Sequence, residues 1–214
     1  MAEPRLKGQN AWLIRGFVAV NLFVFIFIHI GHSVRFQVSP LELGLGNLDI
    51  GHWLIATFIA IVSLVLTNLL PTQFKETLVF WRKDHPLPGS RAFTKVCVGD
   101  SRVDFQLLKQ RYGEFPSEPE AQNRLWYRIY KGHREEPSVA DALKSYLLFR
   151  DLSSISFLLL VFFVPLSLFI FEVRTAVSVV FLLGLAVEYL VIALNARNSG
   201  NRLVCNALAE VSAA

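Results

Sequence analysis

Four long apolar stretches limit what this chain can become: Ala11–Ile30, Trp53–Leu70, Ile155–Phe171 and Ala176–Leu194. Each approaches the roughly 20 apolar residues that carry a helix across a bilayer. Lipid offers no partner to a backbone amide, so segments this apolar span only as helices with internal hydrogen bonds. The expected fold is therefore all-α: a polytopic membrane protein with four transmembrane helices and a small helical cytoplasmic segment between helices 2 and 3. A hydrophobic content of 53% with 18 Phe is too apolar for an ordinary soluble domain. The first run follows Arg5 and Lys7 as a secretory signal would, but it outlasts a signal core and lacks a small-residue cleavage site. It reads as a retained span.

The organisation follows. Residues 1–70 hold a first pair of spans (about 11–33 and 52–70), 71–153 a helical insertion, 154–196 a second pair (about 154–172 and 175–196), and 197–214 a tail. Fourteen of the Lys and Arg residues lie between Pro71 and Ser154, whereas the two connections expected outside hold only Arg35 and Arg174. The positive-inside rule then puts both termini and the insertion in the cytoplasm, with the short flanks Arg15, Lys75, Arg82, Arg150, Arg197 and Arg202 agreeing. The net charge of +4 fits basic loops beside anionic lipid, not nucleic acid. Cys97 and Cys205 form no Cys-x-x-Cys spacing, so neither a thiol redox motif nor a cysteine zinc site is expected.

Within the insertion, Gln73–Lys83 extends span 2, and His85-Pro-Leu-Pro-Gly-Ser90 breaks it. Ser101–Tyr112 reads as a helix closed by Gly113. Ser117-Glu-Pro-Glu120 is a capping-box start for a helix ending at Gly132. A third helix begins near Ser138 and runs into span 3. A segment this small rarely supports its own core, so it is expected to pack on the ends of spans 2 and 3 or on neighbouring subunits. The runs Phe80-Trp-Arg82, Pro86-Leu-Pro-Gly-Ser-Arg-Ala-Phe93, Gln122-Asn-Arg-Leu-Trp-Tyr-Arg-Ile-Tyr130, Phe149-Arg-Asp151 and Gly200-Asn-Arg-Leu-Val204 resemble a set of uncharacterised four-span bacterial inner-membrane proteins. That resemblance implies the topology and a bacterial inner membrane, and brings no activity.

Polar residues inside spans mark a partner or a cavity, because each is expensive there. Glu188 lies roughly 18–20 Å into span 4, with Gly184 and Asn195 near its face. It reads either as a proton- or cation-responsive carboxylate or as the partner of Arg15. Span 1 gathers Arg15, Asn21, His29 and His32 within about 120° of arc, which marks its inward face. His29, His32 and His52 sit at one outer level. The preferred reading is interfacial imidazoles bonded to carbonyls or headgroups. The alternatives are a zinc or copper site, a pH sensor, or axial ligands of a haem. No cofactor is expected. Ala56, Ala60, Ser63 and Thr67 form a small-residue packing face on span 2. Phe-rich span 3 carries Pro165, read as space filling with a kink. The loop 40–51, rich in Leu and Gly, leaves open a dip back into the outer leaflet.

Arg124, Trp126, Tyr127, Arg128, Tyr130 and Lys131 interleave aromatic and basic groups, the pattern of a helix on an inner leaflet or against a partner. Asp100 and Asp104 read as a solvated face. No phosphate loop, zinc-protease helix, nucleophile elbow or calcium loop is present. The expected function is non-enzymatic: a homo-oligomer in the bilayer that couples cytoplasmic helices to the membrane as a small channel, a regulated permeabiliser or a sensor, a design that suits stress or phage defence. The alternatives are a redox or metal-dependent protein built on the histidines, and a scaffold anchoring a cytoplasmic protein partner.

Overall fold

The computed structural model describes residues 2–34, 50–169 and 175–213. Seven α-helices account for most of them: α1 Ala2–Val34, α2 Ile50–Leu69, α3 Thr72–Phe80, α4 Phe105–Tyr112, α5 Pro119–His133, α6 Pro137–Phe169 and α7 Thr175–Ala213. A 3-10 turn (Pro88–Arg91) and a π turn (Ala92–Val96) lie between α3 and α4. No strand occurs among the described residues, so the all-α expectation holds. The chain divides into two compact units. One is Gln9–Leu70 with Asp151–Val191, here the apolar unit; the other is Met1–Gly8, Pro71–Arg150 and Ile192–Ala214, here the insertion unit.

Four spans were expected. Among the described residues two helical stretches are long and apolar enough to cross a membrane, Pro137–Phe163 and Ser178–Ala213, and α1 adds the shorter apolar stretch Asn10–Phe25. Their surroundings differ. The most apolar window of α6 is 67% buried inside the protein and that of α7 only 28%, so the apolar stretch of α6 is covered and that of α7 is largely open.

The apolar unit packs α1, α6 and α7 through Val18, Phe25, Ile155, Phe163, Phe181 and Leu185. Phe25 stacks on Phe163 with ring centroids 4.6 Å apart and meets Phe181 at 5.5 Å. Its outer surface carries Phe23, Phe27, Phe58, Ile61 and Val180, each more than half exposed. Asn21, Ser63, Thr67, Ser154 and Ser156 are buried instead. An apolar core under an equally apolar outer surface, with these polar groups kept off that surface, is unlike a water-soluble domain. Lipid is the solvent that suits it.

The insertion unit has a conventional interior. Its core joins Val79 and Phe80 of α3, Phe93, Leu108 of α4, Trp126 and Ile129 of α5, the first half of α6 and the end of α7. Asp104 caps α4, its carboxylate accepting from the amides of Gln106 (2.9 Å) and Leu107 (3.0 Å), and Gly113 closes the helix at φ 82. The expected capping box does not form. Pro119 starts α5 with its fixed φ, no side chain caps it, and the Ser117 carbonyl instead accepts from Gln122 Nε2 at 3.0 Å. Gln122 Oε1 accepts from the Phe93 amide (3.3 Å) and the Thr94 hydroxyl (3.2 Å). One buried amide thus clamps the loop to α5.

Residues 197–213, expected as a tail, are the last turns of α7. Leu203, Val204, Ala207, Leu208 and Val211 recur at helical spacing and are all buried. Asn206 Nδ2 donates to the Ser138 carbonyl at 2.8 Å, and Arg111 Nη1 to that of Val211 at 3.3 Å. The insertion thus obtains a core by borrowing the ends of two long helices. A disulfide joins Cys97 to Cys205 with Cα atoms 5.4 Å apart, a pairing that the sequence spacing did not suggest.

Candidate functional site

Inside the apolar unit, three helices bring three polar side chains together. Asn21 shares the inward face of α1 with Val18 and Phe25, which lie three and four residues away. Ser156 sits on α6 beside core residues Ile155 and Leu159, and Glu188 lies one turn beyond Leu185 on α7. The helical period that buries the aromatic residues therefore also aims these three groups inward.

Ser156 Oγ donates to Glu188 Oε1 at 2.9 Å, and the Asn21 amide donates to the same carboxylate. The Asn21 Nδ2 donates as well to the Phe17 carbonyl, four residues back, at 3.2 Å. Glu188 is half-buried. Both of its partners are neutral donors, and among the described residues no basic group pairs with it. Arg15, expected as the alternative partner, is exposed and lies six residues from Asn21 along α1, about 9 Å at 1.5 Å per residue. Among the described residues the site is a carboxylate with hydrogen bonds and no fixed counter-charge, chemistry suited to taking up a proton or passing a cation.

The other candidate residues fall as follows. Asn195 is exposed on α7, seven residues beyond Glu188 and within the insertion unit. Ser63 and Thr67 are buried on α2, and Thr67 Oγ1 donates to the Ser63 carbonyl at 2.8 Å. The side chains of Ala56 and Ala60 lie outside the described residues, as do those of His29, His32 and His52 and the loop over residues 40–49. Among the described residues no group of three or more His, Cys, Asp or Glu is placed to hold a metal.

On α5, Arg124, Tyr127, Arg128 and Lys131 are exposed, and the Lys131 ammonium lies 5.1 Å from the Tyr127 ring centroid. Trp126 corrects the expectation of a surface residue. It is 8% exposed, stacks on Tyr130 at 5.3 Å and donates Nε1–H to the Val204 carbonyl at 3.3 Å. A large ring gains more from burial than from the surface once its one donor has a partner. Asp100 and Asp104 are not a joint acidic pair: Asp100 accepts from Arg102 at 2.7 Å, and Asp104 caps α4.

Sequence reading passed over Ser156 and its buried neighbours Ser153 and Ser154. The signal was available as Ser153-Ser-Ile-Ser156 at the head of an apolar run. No family model, curated protein or solved structure matches the chain.

Proposed function

We propose that this chain is a non-enzymatic, oligomeric, four-span protein of a bacterial inner membrane. It couples the insertion unit to the bilayer as a small channel, a regulated permeabiliser or a membrane sensor. The observation that carries this reading is Glu188, held by Ser156 and Asn21 inside a unit whose outer surface is apolar. An intramembrane carboxylate without a counter-ion is a functional feature before it is a structural one, since apolar packing would stabilise the bundle more cheaply. The spans are α1, α2 and the apolar parts of α6 and α7. Their basic flanks favour a cytoplasmic insertion, whereas the Cys97–Cys205 disulfide points the opposite way, to an oxidising compartment.

The test is dye-reported membrane potential in cells induced for the wild-type chain, for Glu188→Gln, and for an insertion-matched control. Depolarisation by the wild type and its loss in the variant, at equal membrane levels, supports the proposal. Equal depolarisation by both removes Glu188 from the conducting path. A scaffold reading has one observation of its own, the exposed basic-aromatic face of α5. It requires that Arg124→Glu with Arg128→Glu release a cytoplasmic partner without changing membrane potential.

A further inference from the structure

Helix α3 is stopped by a left-handed residue, Trp81 (φ 53), and a second, His85 (φ 47), turns the chain again ahead of Pro86 and Pro88. The returning segment docks on α5 at Gly89, where the missing side chain lets the backbone approach Asn123 and Trp126. Between α3, this segment and the start of α5 lies a cavity of about 440 Å³, a volume that suits a small organic ligand. Glu76 lines it from α3, and Lys83, Asp84 and His85 from the returning segment. Glu120 and Asn123, one turn apart on α5, line it from a single helical face.

Three carboxylates against one ammonium make this lining acidic. A concave surface of one sign focuses its field and concentrates the opposite charge. The carboxylates are also weakly engaged within the protein. Glu120 shares a 3.5 Å ion pair with Arg124, but both side chains are exposed, and such a pair holds its members loosely. Among the described residues, no hydrogen bond reaches the carboxyl of Glu76 or of Asp84. Burial raises the Glu76 pKa and the charge of Arg150 pulls it partly back, so a cation in the cavity would complete what Arg150 begins. Asn123 adds an acceptor, for its Oδ1 is buried with no hydrogen-bond partner.

The spread of these groups decides the kind of cation. Among the described residues no three His, Cys, Asp or Glu side chains are placed to hold one metal ion. An occupant that satisfies Glu76, Asp84 and Glu120 together must therefore carry its positive charge at separate points. We propose that these three carboxylates, with Asn123 in the same lining, form a binding site for an organic cation bearing two or more separated amines, a ligand of the polyamine class. The site lies wholly within the insertion unit and does not rest on conduction through Glu188.

The test uses the full chain in a neutral detergent at fixed ionic strength. Its melting midpoint is followed with spermidine, propylamine or magnesium chloride added, in the wild type, in Glu76→Gln and in Asp84→Asn. With spermidine at roughly five times its Kd, the wild-type midpoint should rise by about 2–4 °C, and each variant should lose half of that shift or more. Asp84 is exposed, and Glu76→Gln removes a carboxylate that burial disfavours, so both variants should keep the fold. Propylamine and magnesium should shift none of the three proteins. An equal shift from either would mean general screening of the carboxylates and would overturn the site. So would the absence of a spermidine shift in the wild type, or equal spermidine shifts in all three proteins.

Discussion

Ser156 on α6 donates a 2.9 Å hydrogen bond to Glu188 on α7, and Asn21 on α1 completes the grip on the same carboxylate. Three helices of the apolar unit are therefore tied at one point by one acidic group. A hydrogen bond to a charged group contributes about 1.5–3 kcal/mol, so Ser156→Ala should lower the stability of the bundle by about that much. Glu188→Gln keeps an acceptor oxygen and loses the charge, so it should change stability little while abolishing depolarisation. Denaturant midpoints in detergent, read beside membrane potential, separate the two roles. A Ser156→Ala protein as stable as the wild type would show that the bond ties nothing.

The apolar stretches and the inward place of Asn21 were legible because both rest on helical period, which the sequence displays directly, whereas Arg15, expected on the same inward face, is exposed. Asn21 and Glu188 could be named for that reason. Ser156, the partner of Glu188, could not, because it lies on another helix 32 residues away in the chain and only packing sets the pairing of helices. The insertion shows the same division. Its helices were placed to within a few residues, whereas the fate of residues 197–213 was misread although Leu203, Val204, Ala207, Leu208 and Val211 carry a clear helical stripe. A stripe announces that something covers it; the identity of the cover, here α4, α5 and the start of α6, is a long-range fact.

Gly89 presents a local prediction. A Cβ at that position would lie 2.5 Å from Asn123 Oδ1 and 2.7 Å from Trp126 Cε3. The indole cannot swing aside without losing its bond to the Val204 carbonyl. Gly89→Ala should therefore destabilise the insertion unit by about 1–3 kcal/mol, as overpacking of a filled interior does. Thermal melting followed by tryptophan fluorescence would register it, and an unchanged midpoint would mean that the loop yields freely.

Glu76 offers a pH dependence. Burial pushes its carboxyl above the ordinary glutamate value, and the charge of Arg150 pulls it partly back. The folded protein then holds this proton more tightly than the unfolded chain. Through the window that begins near about pH 4.3, the unperturbed value, and extends upward to the raised one, the native state binds more protons and stability falls as pH rises. Glu76→Gln should remove that decline and raise the neutral-pH midpoint. Melting curves at a series of pH values check it; a variant with the wild-type slope would assign the decline to another group.

Cys97 and Cys205 are the only cysteines in the chain, and their bond closes a separation of 108 residues between the π turn and the end of α7. In the chain-entropy account a loop of about 100 residues is worth up to about 4.7 kcal/mol, with strained or structured reference states giving less. Cys97→Ser should therefore lower the unfolding free energy by about 2–5 kcal/mol. Cys97 is fully buried and Cys205 nearly so, so reductant should act on the bond only when the unit opens. In intact cells, alkylation should label neither sulfur until the protein has been both denatured and reduced. That outcome would also place the insertion unit on the oxidising side of the membrane, opposite to the side its basic flanks favour. Labelling after denaturation alone would show free, buried thiols, restore the cytoplasmic orientation and remove the staple from the account of stability.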